Sequence, residues 1–158
     1  MNGTKRDELA LLVDRENIDV VGLTETWGRT DILDSEMEIS GFKLFRKDRS
    51  AVNNKKGGGV ALYVKSDFYS VDYEYLNCKN SESLWCKIYV NQTNYIVVGV
   101  CYRSPDADES EVNELFDCIK LACDFNRSVM IMGDFNYPDI NWTTLTPDKN
   151  GYKFLKLI

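Results

Sequence analysis

The sequence contains no histidine, and this absence removes several classes of active site. A Ser-His-Asp or Cys-His catalytic centre is excluded within this chain, because histidine is the base in both. The commonest zinc ligand is missing as well. Any metal ion bound by this chain must therefore be held through oxygen atoms, which is the chemistry that suits Mg²⁺ or Mn²⁺.

Long apolar runs are also lacking. No stretch approaches the roughly 20 apolar residues that are needed to span a bilayer, and residues 1–14 carry charged side chains where a signal peptide would be apolar. The five cysteines show no Cys-x-x-Cys spacing. We therefore expect an intracellular protein, nuclear or cytoplasmic and not secreted, with no membrane partner and with its cysteines reduced and mostly buried.

Positive charge is scarce but concentrated in one block. The 158 residues carry a formal net charge of −6, which argues against nucleic-acid binding through overall charge. Residues 43–56 nevertheless contain six bases and one acid. This basic block is either a solvated hairpin or a loop that faces phosphates, and both interpretations stay open. Its bases are Lys43, Arg46, Lys47, Arg49, Lys55 and Lys56.

Periodic apolar patterns predict two main helices and seven strands. Apolar residues recur at helical spacing in residues 5–16 and 109–123. Residues 28–40 are expected to form a polar loop, and 151–158 the start of another helix. Short apolar or alternating runs bounded by turn residues predict strands over residues 19–23, 41–46, 60–64, 71–75, 83–90, 95–103 and 129–132.

This order of elements favours one α/β domain. The strands between residues 41 and 103 follow one another without an intervening helix, and the pair 83–90 and 95–103 is joined by a short turn typical of an antiparallel hairpin. Such a pattern suits two packed, mostly antiparallel β-sheets flanked by helices. The chain is long enough for a single domain with a sizeable core.

Polar side chains stand where three of the predicted strands end. Glu25 follows the first strand, Tyr102 lies at the end of the sixth, and Asp134 and Asn136 follow the seventh. Each alone is unremarkable, since an Asp at a strand end commonly forms an Asx-turn. In α/β sheets, however, ligands bind outside the carboxyl ends of strands. The three positions together therefore predict a shared cleft.

Three glycines, Gly57-Gly58-Gly59, precede the third predicted strand. They do not form a P-loop, because no Gly-Lys-Ser/Thr and no predicted helix follow them. We expect them to let the strand begin against a close neighbour.

Three motifs stand at the polar strand ends: Thr24-Glu25-Thr26, Tyr102-Arg103-Ser104-Pro105 and Gly133-Asp134-Phe135-Asn136. Together they resemble the endonuclease/exonuclease/phosphatase superfamily, which has the fold of deoxyribonuclease I. Further motifs look like the endonuclease domain of LINE-type (non-LTR) retrotransposons, and the resemblance runs from about residue 5 to the end of the sequence. These motifs are Glu25-Thr26-Trp27, the basic block leading into 57–64, Glu82-Ser83-Leu84-Trp85 and residues 133–142.

The resemblance implies hydrolysis of phosphodiester bonds in DNA with Mg²⁺ (or Mn²⁺) as cofactor. Glu25 matches the metal-ligand glutamate, and Asp134 matches the aspartate that orients or deprotonates the attacking water. Asn136 matches the asparagine that donates to the phosphate, and Tyr102 the tyrosine that holds it. In the retrotransposon context the nick primes reverse transcription, which implies a reverse transcriptase domain in a parent polyprotein. Expected phosphate or DNA contacts are Arg46, Lys47, Arg49, Lys55, Lys56 and Arg103.

The sequence departs from the family pattern at both ends. The family begins with a strand that carries a metal-site asparagine, and it ends with an Asp-His pair well beyond the Gly-Asp-Phe-Asn motif. We therefore expect residues 1–158 to be a single partial domain, an incomplete four-layer sandwich without the first strand and the C-terminal third, with impaired activity. The alternatives are a non-catalytic DNA-binding remnant that uses residues 43–56, and a phosphatase acting on a small phosphate ester.

Overall fold

The fold is seen in a computed structural model, which describes residues 3–49, 57–76, 78, 81–126, 128–147 and 151–157. The helices are α1 (Gly3–Arg15), α2 (Asp34–Met37), α3 (Glu109–Phe125) and α4 (Tyr152–Leu155), with a 3-10 turn at Glu74–Leu76. The strands are β1 (Val20–Thr24), β2 (Phe42–Lys47), β3 (Val60–Lys65), β4 (Ser70–Asp72), β5 (Glu82–Tyr89), β6 (Tyr95–Tyr102) and β7 (Val129–Asp134).

The seven strands form two sheets, as the sequence predicts. The three-stranded sheet has the order β1-β3-β2 and is antiparallel throughout. The four-stranded sheet has the order β4-β5-β6-β7, in which only the β6–β7 pair is parallel. That parallel pair requires a crossover, and α3 supplies it between the two strands.

Alternating side chains along the strands create three apolar layers. Leu62 of β3 meets Val100 of β6 between the sheets. Tyr63, on the opposite face of β3, packs with Val13 of α1. On the outer face of the other sheet, Trp85 packs with the apolar side of α3. The order is therefore α1, three-stranded sheet, four-stranded sheet, α3, which confirms the predicted sandwich of two sheets flanked by helices.

Two local predictions are wrong. The strand expected over 71–75 ends at Asp72, because the Leu76 N–H donates to the Tyr73 carbonyl at 3.0 Å and the backbone turns there. The polar loop expected over 28–40 contains the single turn of α2. That turn is stabilised where the Glu36 carboxylate accepts a hydrogen bond from the Leu33 N–H at 3.0 Å.

The cysteines are not all reduced, which corrects the expectation from the sequence. Cys78 and Cys118 form a disulfide that joins the segment after the 3-10 turn to α3. The two cysteines meet because Leu76 packs in the same core as the buried face of α3. Of the free cysteines, Cys86 and Cys101 are buried, and Cys123 is exposed.

No helix in the described segments is long and apolar enough to cross a membrane.

Candidate active site

The predicted site residues converge at one end of the sandwich. Tyr102 and Asp134 are neighbours in the β6–β7 register, at the carboxyl ends of both strands. β1 packs across the sandwich against β6 and β7 and delivers Glu25 just beyond its own carboxyl end. The two sheets thus bring together a carboxylate from one side and a phenol and a second carboxylate from the other.

Glu25 is held by hydrogen bonds on an exposed turn. Its backbone has φ = 54°, which is rare for a residue with a side chain, and such geometry is found at functional sites. The Gly58 N–H donates to Glu25 Oε2 at 2.8 Å. The Tyr102 hydroxyl and the Trp27 indole N–H bond the same carboxylate. The carboxylate is therefore fixed in direction while it stays open to solvent.

These bonds set the protonation states of Glu25 and Tyr102. Partial burial opposes ionisation of Glu25, but the hydrogen bonds from Tyr102 and the Gly58 amide outweigh it and lower the pKa of Glu25 below its ordinary 4.5. Burial and the bond to the Glu25 carboxylate raise the pKa of Tyr102 to about 12. At neutral pH Glu25 is thus an anion, and Tyr102 is a protonated donor.

The glycine run leads into β3, beside β1 in the three-stranded sheet, and organises the Glu25 side of the site. Gly57, Gly58 and Gly59 all have φ between 77° and 83°, in the left-handed region that glycine adopts without strain. A Cβ on Gly59 would lie 2.7 Å from Thr26 Oγ1, so a side chain would also lack space. The expectation that these glycines allow close approach is confirmed. With no side chains in the way, the Gly58 N–H reaches the Glu25 carboxylate and the Gly59 N–H reaches the Glu82 carboxylate.

An ion pair between Arg49 and Glu82 supports the glycine run. Arg49 Nε donates to Glu82 Oε1 at 2.6 Å, and the Gly59 N–H donates to Glu82 Oε2 at 2.6 Å. The Arg49 guanidinium carbon lies 5.8 Å from the Tyr102 ring centre. Arg49 thus bridges the basic block to the site and adds positive potential beside Glu25.

Asp134 and Asn136 form the Asx-turn that the sequence allows. The Asn136 N–H donates to Asp134 Oδ1 at 3.0 Å, and the Asn136 backbone has φ = 50°. Phe135 contacts Phe154 in the core, with ring centres 4.5 Å apart and the rings tilted. The turn leaves Asp134 exposed at the strand end.

Arg103 braces this turn from the neighbouring strand. Its Nη1 donates to the Asn136 carbonyl at 3.1 Å, while its own carbonyl accepts from Asn136 Nδ2 at 2.8 Å. Its guanidinium also lies 4.3 Å from the Tyr137 ring centre. Arg103 therefore holds the Asp134–Asn136 turn against the end of β6.

Four bases of the basic block have partners within the chain. Lys43 Nζ donates to the Ser70 carbonyl at 2.8 Å, and Lys47 Nζ donates to the Ser81 carbonyl at 2.7 Å. Arg46 donates to the Ile32 carbonyl at 2.8 Å and pairs with Asp34 and Asp48, and Arg49 pairs with Glu82. Lys55 and Lys56, the other two predicted contacts in this block, lie outside the described residues.

The profile of the Endonuclease/Exonuclease/phosphatase family matches residues 1–154, nearly the whole sequence. The chain belongs to this family. The resemblance that rests on the Glu25, Tyr102 and Asp134 motifs is therefore confirmed at family level. No curated protein matches the sequence.

In a comparison with solved structures, 13 chains match this member of the endonuclease/exonuclease/phosphatase family. One is the endonuclease domain of TRAS1, a telomere-specific non-LTR retrotransposon, with a TM-score of 0.70 and 16% sequence identity. The match covers 96% of the present chain and 62% of the TRAS1 chain, so the present chain spans less than two thirds of that neighbour. At this identity the likeness shows the fold.

One carboxylate of this endonuclease/exonuclease/phosphatase chain suits the binding of a hard, hydrated cation. Within the ranges that the structure describes, no three Cys, Asp or Glu side chains converge to hold a metal ion together. Glu25 is exposed and ionised, and Mg²⁺ retains several waters and often binds proteins through one or two carboxylates. An exposed, ionised carboxylate such as that of Glu25 has the chemistry that such an ion prefers.

Sequence reasoning missed the role of Glu82 in this family member. The family motif that contains Glu82 assigns it no function, yet its carboxylate binds both Arg49 and the Gly59 amide. The available signal was an acid directly before a buried strand, opposite the one basic block of an acidic chain. Trp27 was likewise only a motif residue, although its indole contacts Glu25.

Proposed function

We propose that the chain hydrolyses phosphodiester bonds in DNA with Mg²⁺, or Mn²⁺, as cofactor, as a nicking endonuclease. The observation that carries this proposal is the meeting of Glu25, Tyr102 and Asp134 at one end of the two sheets. A carboxylate fixed by donors beside a second, exposed carboxylate provides separate places for a cation and for an attacking water.

Glu25 is the proposed metal ligand. Its low pKa keeps it anionic, and the Gly58 amide and the Tyr102 hydroxyl fix its direction. When bound there, Mg²⁺ would stabilise negative charge on the phosphate oxygens. Activation of the attacking water and binding of the phosphate are assigned to side chains of the protein.

Asp134 is the proposed base. One of its oxygens is occupied by the Asn136 N–H, which fixes the carboxylate plane. The other oxygen is free to orient a water and to accept its proton as the water attacks phosphorus. The bond from phosphorus to the 3′ oxygen breaks in the same displacement, and the departing 3′ oxygen takes a proton from solvent to become the 3′-hydroxyl. Because Asp134 is exposed, water reaches it without a conformational change.

Asn136, Tyr102 and Arg49 are proposed to hold the phosphate. One N–H of Asn136 Nδ2 donates to the Arg103 carbonyl, and the second N–H is available to donate to a phosphate oxygen. Tyr102 stays protonated, and its single O–H, which bonds Glu25 in this structure, would turn to a phosphate oxygen when substrate binds. Arg49 supplies positive charge next to both, whereas Arg46, Lys47 and Arg103 support the loops that carry these groups.

The absence of histidine sets the expected rate. In the family resemblance a histidine binds the phosphate, and this sequence contains none. We therefore expect slower nicking than by an endonuclease domain that contains this histidine. A parent polyprotein with a reverse transcriptase domain stays part of this proposal. So does a nuclear or cytoplasmic location, which rests on the charged N-terminal segment, since the Cys78–Cys118 disulfide is uncommon in those compartments.

Nicking of supercoiled plasmid tests the proposal directly. Asp134→Asn should lower the Mg²⁺-dependent rate about 100- to 10,000-fold, the usual contribution of a general base. Glu25→Gln should raise the Mg²⁺ concentration needed for half-maximal rate. Glu38→Gln, an exposed glutamate that follows α2, is the matched control. Equal nicking by the wild type and Asp134→Asn would refute the proposed role.

A further inference from the structure

Trp27 presents a large apolar surface at the edge of the proposed site. Its side chain is 61% exposed, although it lies only two residues from Glu25. Burial of an apolar side chain is favourable, so an indole left in water beside a binding site is available for a ligand.

The indole is held in place rather than free to move. The backbone N–H of Trp27 donates to the Gly58 carbonyl at 2.9 Å, and the Trp27 backbone has φ = 54°. The indole N–H bonds the Glu25 carboxylate. The ring also lies over Gly57, since a Cβ at Gly57 would be 3.3 Å from Trp27 Cε2. One edge and part of one face are thus fixed, and the rest of the ring stays open.

A planar ring fixed beside a phosphate-holding group selects a ligand with both features. Tyr102 bonds the same carboxylate as Trp27, and the charge of Arg49 acts on that carboxylate, so these two groups provide the polar half. A nucleotide has a phosphate and a flat π surface about one sugar apart, whereas a small phosphate ester has only the first. Stacking of a base on an aromatic side chain contributes about 1–3 kcal/mol and tolerates any base sequence.

We propose that Trp27 stacks on a nucleobase next to the scissile phosphate, so that the substrate is a nucleic-acid segment with an accessible base. This inference deepens the proposed function and rests on it. It makes Trp27 a substrate contact whose effect is separate from its hydrogen bond to Glu25.

Binding of two oligomers with equal charge isolates the stacking. Oligothymidylate and a base-free oligomer of the same length and phosphate number are titrated in EDTA, which prevents hydrolysis. Wild type should bind oligothymidylate about 5- to 150-fold more tightly, as expected from one stacked base. Trp27→Leu should lose most of this preference, and Trp27→Phe should keep part of it.

Trp142 provides the matched control. It is 57% exposed, close to the exposure of Trp27, and it packs edge-on against Phe154 with ring centres 6.3 Å apart. Trp142→Phe should therefore leave the base preference unchanged. Trp85 is fully buried, so quenching of fluorescence in the Trp142→Phe background reports on Trp27.

Several results would overturn the inference. If the wild type bound the two oligomers with equal affinity, or bound neither, stacking of a base on Trp27 would be excluded. Equal losses in Trp27→Phe and Trp27→Leu would assign the effect to the indole N–H and Glu25. Because these titrations need no turnover, a preference for bases in a chain that fails to nick DNA would refute the proposed hydrolysis and leave the Trp27 contact standing.

Discussion

At the scale of single residues, the site depends on hydrogen bonds that keep one carboxylate ionised. Glu25 receives an amide N–H from Gly58 and a hydroxyl from Tyr102. Each donor favours the anion over the acid and offsets the partial burial that opposes it. The same pair keeps Tyr102 protonated, so each group fixes the state of the other.

Removing the Tyr102 hydroxyl should change the pH dependence of nicking. Tyr102→Phe deletes a donor to the Glu25 carboxylate, so the pKa of Glu25 rises toward its ordinary value. A higher pKa means that Glu25 becomes protonated at a higher pH as the solution is acidified. The acid limb of the kcat/KM profile should therefore move to higher pH.

Tyr75→Phe controls for the loss of a phenol in general, because Tyr75 is 66% exposed and stacks on Tyr73 away from the site. Its profile should match that of the wild type. If the acid limb of Tyr102→Phe also matched the wild type, Tyr102 would not set the ionisation of Glu25.

At the scale of elements, the parallel β6–β7 pair requires a glycine. Gly133 lies beside Cys101 in the register, with φ = 145°, and a Cβ there would be 1.8 Å from the Cys101 carbonyl oxygen. That overlap is with the backbone, so a rotamer change cannot relieve it. Separating the two strands would move Tyr102 away from Asp134.

Gly133→Ala should therefore destabilise the protein by about 3 kcal/mol, the upper range of overpacking. Gly41→Ala separates strain from steric overlap, because Gly41 has φ = 82° with no atom within 4 Å of an added Cβ. It should cost about 1 kcal/mol. Urea unfolding measures both values. A smaller loss for Gly133→Ala than for Gly41→Ala would show that the strands adjust without cost.

The elements that sequence patterns predict are those that their own side chains determine. β3 and β7 follow from short apolar runs, and α3 follows from helical spacing together with an Asp108 cap that accepts from the Glu111 N–H at 2.9 Å. The strand expected over 71–75 ends at Asp72 because the Leu76 N–H donates to the Tyr73 carbonyl and turns the backbone. The turn places Leu76 in the core beside α3, and this tertiary packing is not recorded in any local pattern.

The candidate site likewise has residues that the sequence predicts and contacts that only the tertiary structure brings together. Glu25, Tyr102 and Asp134 could be predicted because each ends an apolar strand, and strand ends gather in α/β sheets. The pairing of Arg49 with Glu82 spans 33 residues and joins the two sheets, so it depends on their relative placement. The positive φ of Glu25 likewise lies beside backbone hydrogen bonds from Thr26 and Trp27 to the glycine run, which is distant in sequence.

At the scale of the whole molecule, the disulfide ties distant parts of the chain together. Cys78 and Cys118 are 40 residues apart in sequence, and closing a loop of that length restricts the unfolded state by about 4 kcal/mol in the chain-entropy treatment. Dithiothreitol should lower the free energy of unfolding by about 2–4 kcal/mol. Cys78→Ala combined with Cys118→Ala should abolish this sensitivity.

Cys123→Ser is the control for reductant effects on free thiols, because Cys123 is exposed and unpaired with another cysteine. This variant should respond to dithiothreitol as the wild type does. Unfolding curves that coincide with and without the reductant would contradict a stabilising role of the disulfide.

Net charge and the internal partners of the basic block together limit how DNA binding should depend on salt. The chain carries −6, and four of the six bases in residues 43–56 bond carbonyls or carboxylates of the protein. Counting Lys55, Lys56 and the proposed phosphate contact Arg49 gives a slope of log K against log salt concentration of about −3 for duplex DNA, whereas a fully engaged block would give about −5.

Fluorescence anisotropy with duplex DNA in EDTA at several salt concentrations measures the slope. Lys55→Gln with Lys56→Gln should bring it to about −1, and Lys5→Gln in α1 should not change it. A wild-type slope near −5 would mean that the internal partners of Lys43, Arg46 and Lys47 also yield to phosphates, and that the whole basic block binds DNA.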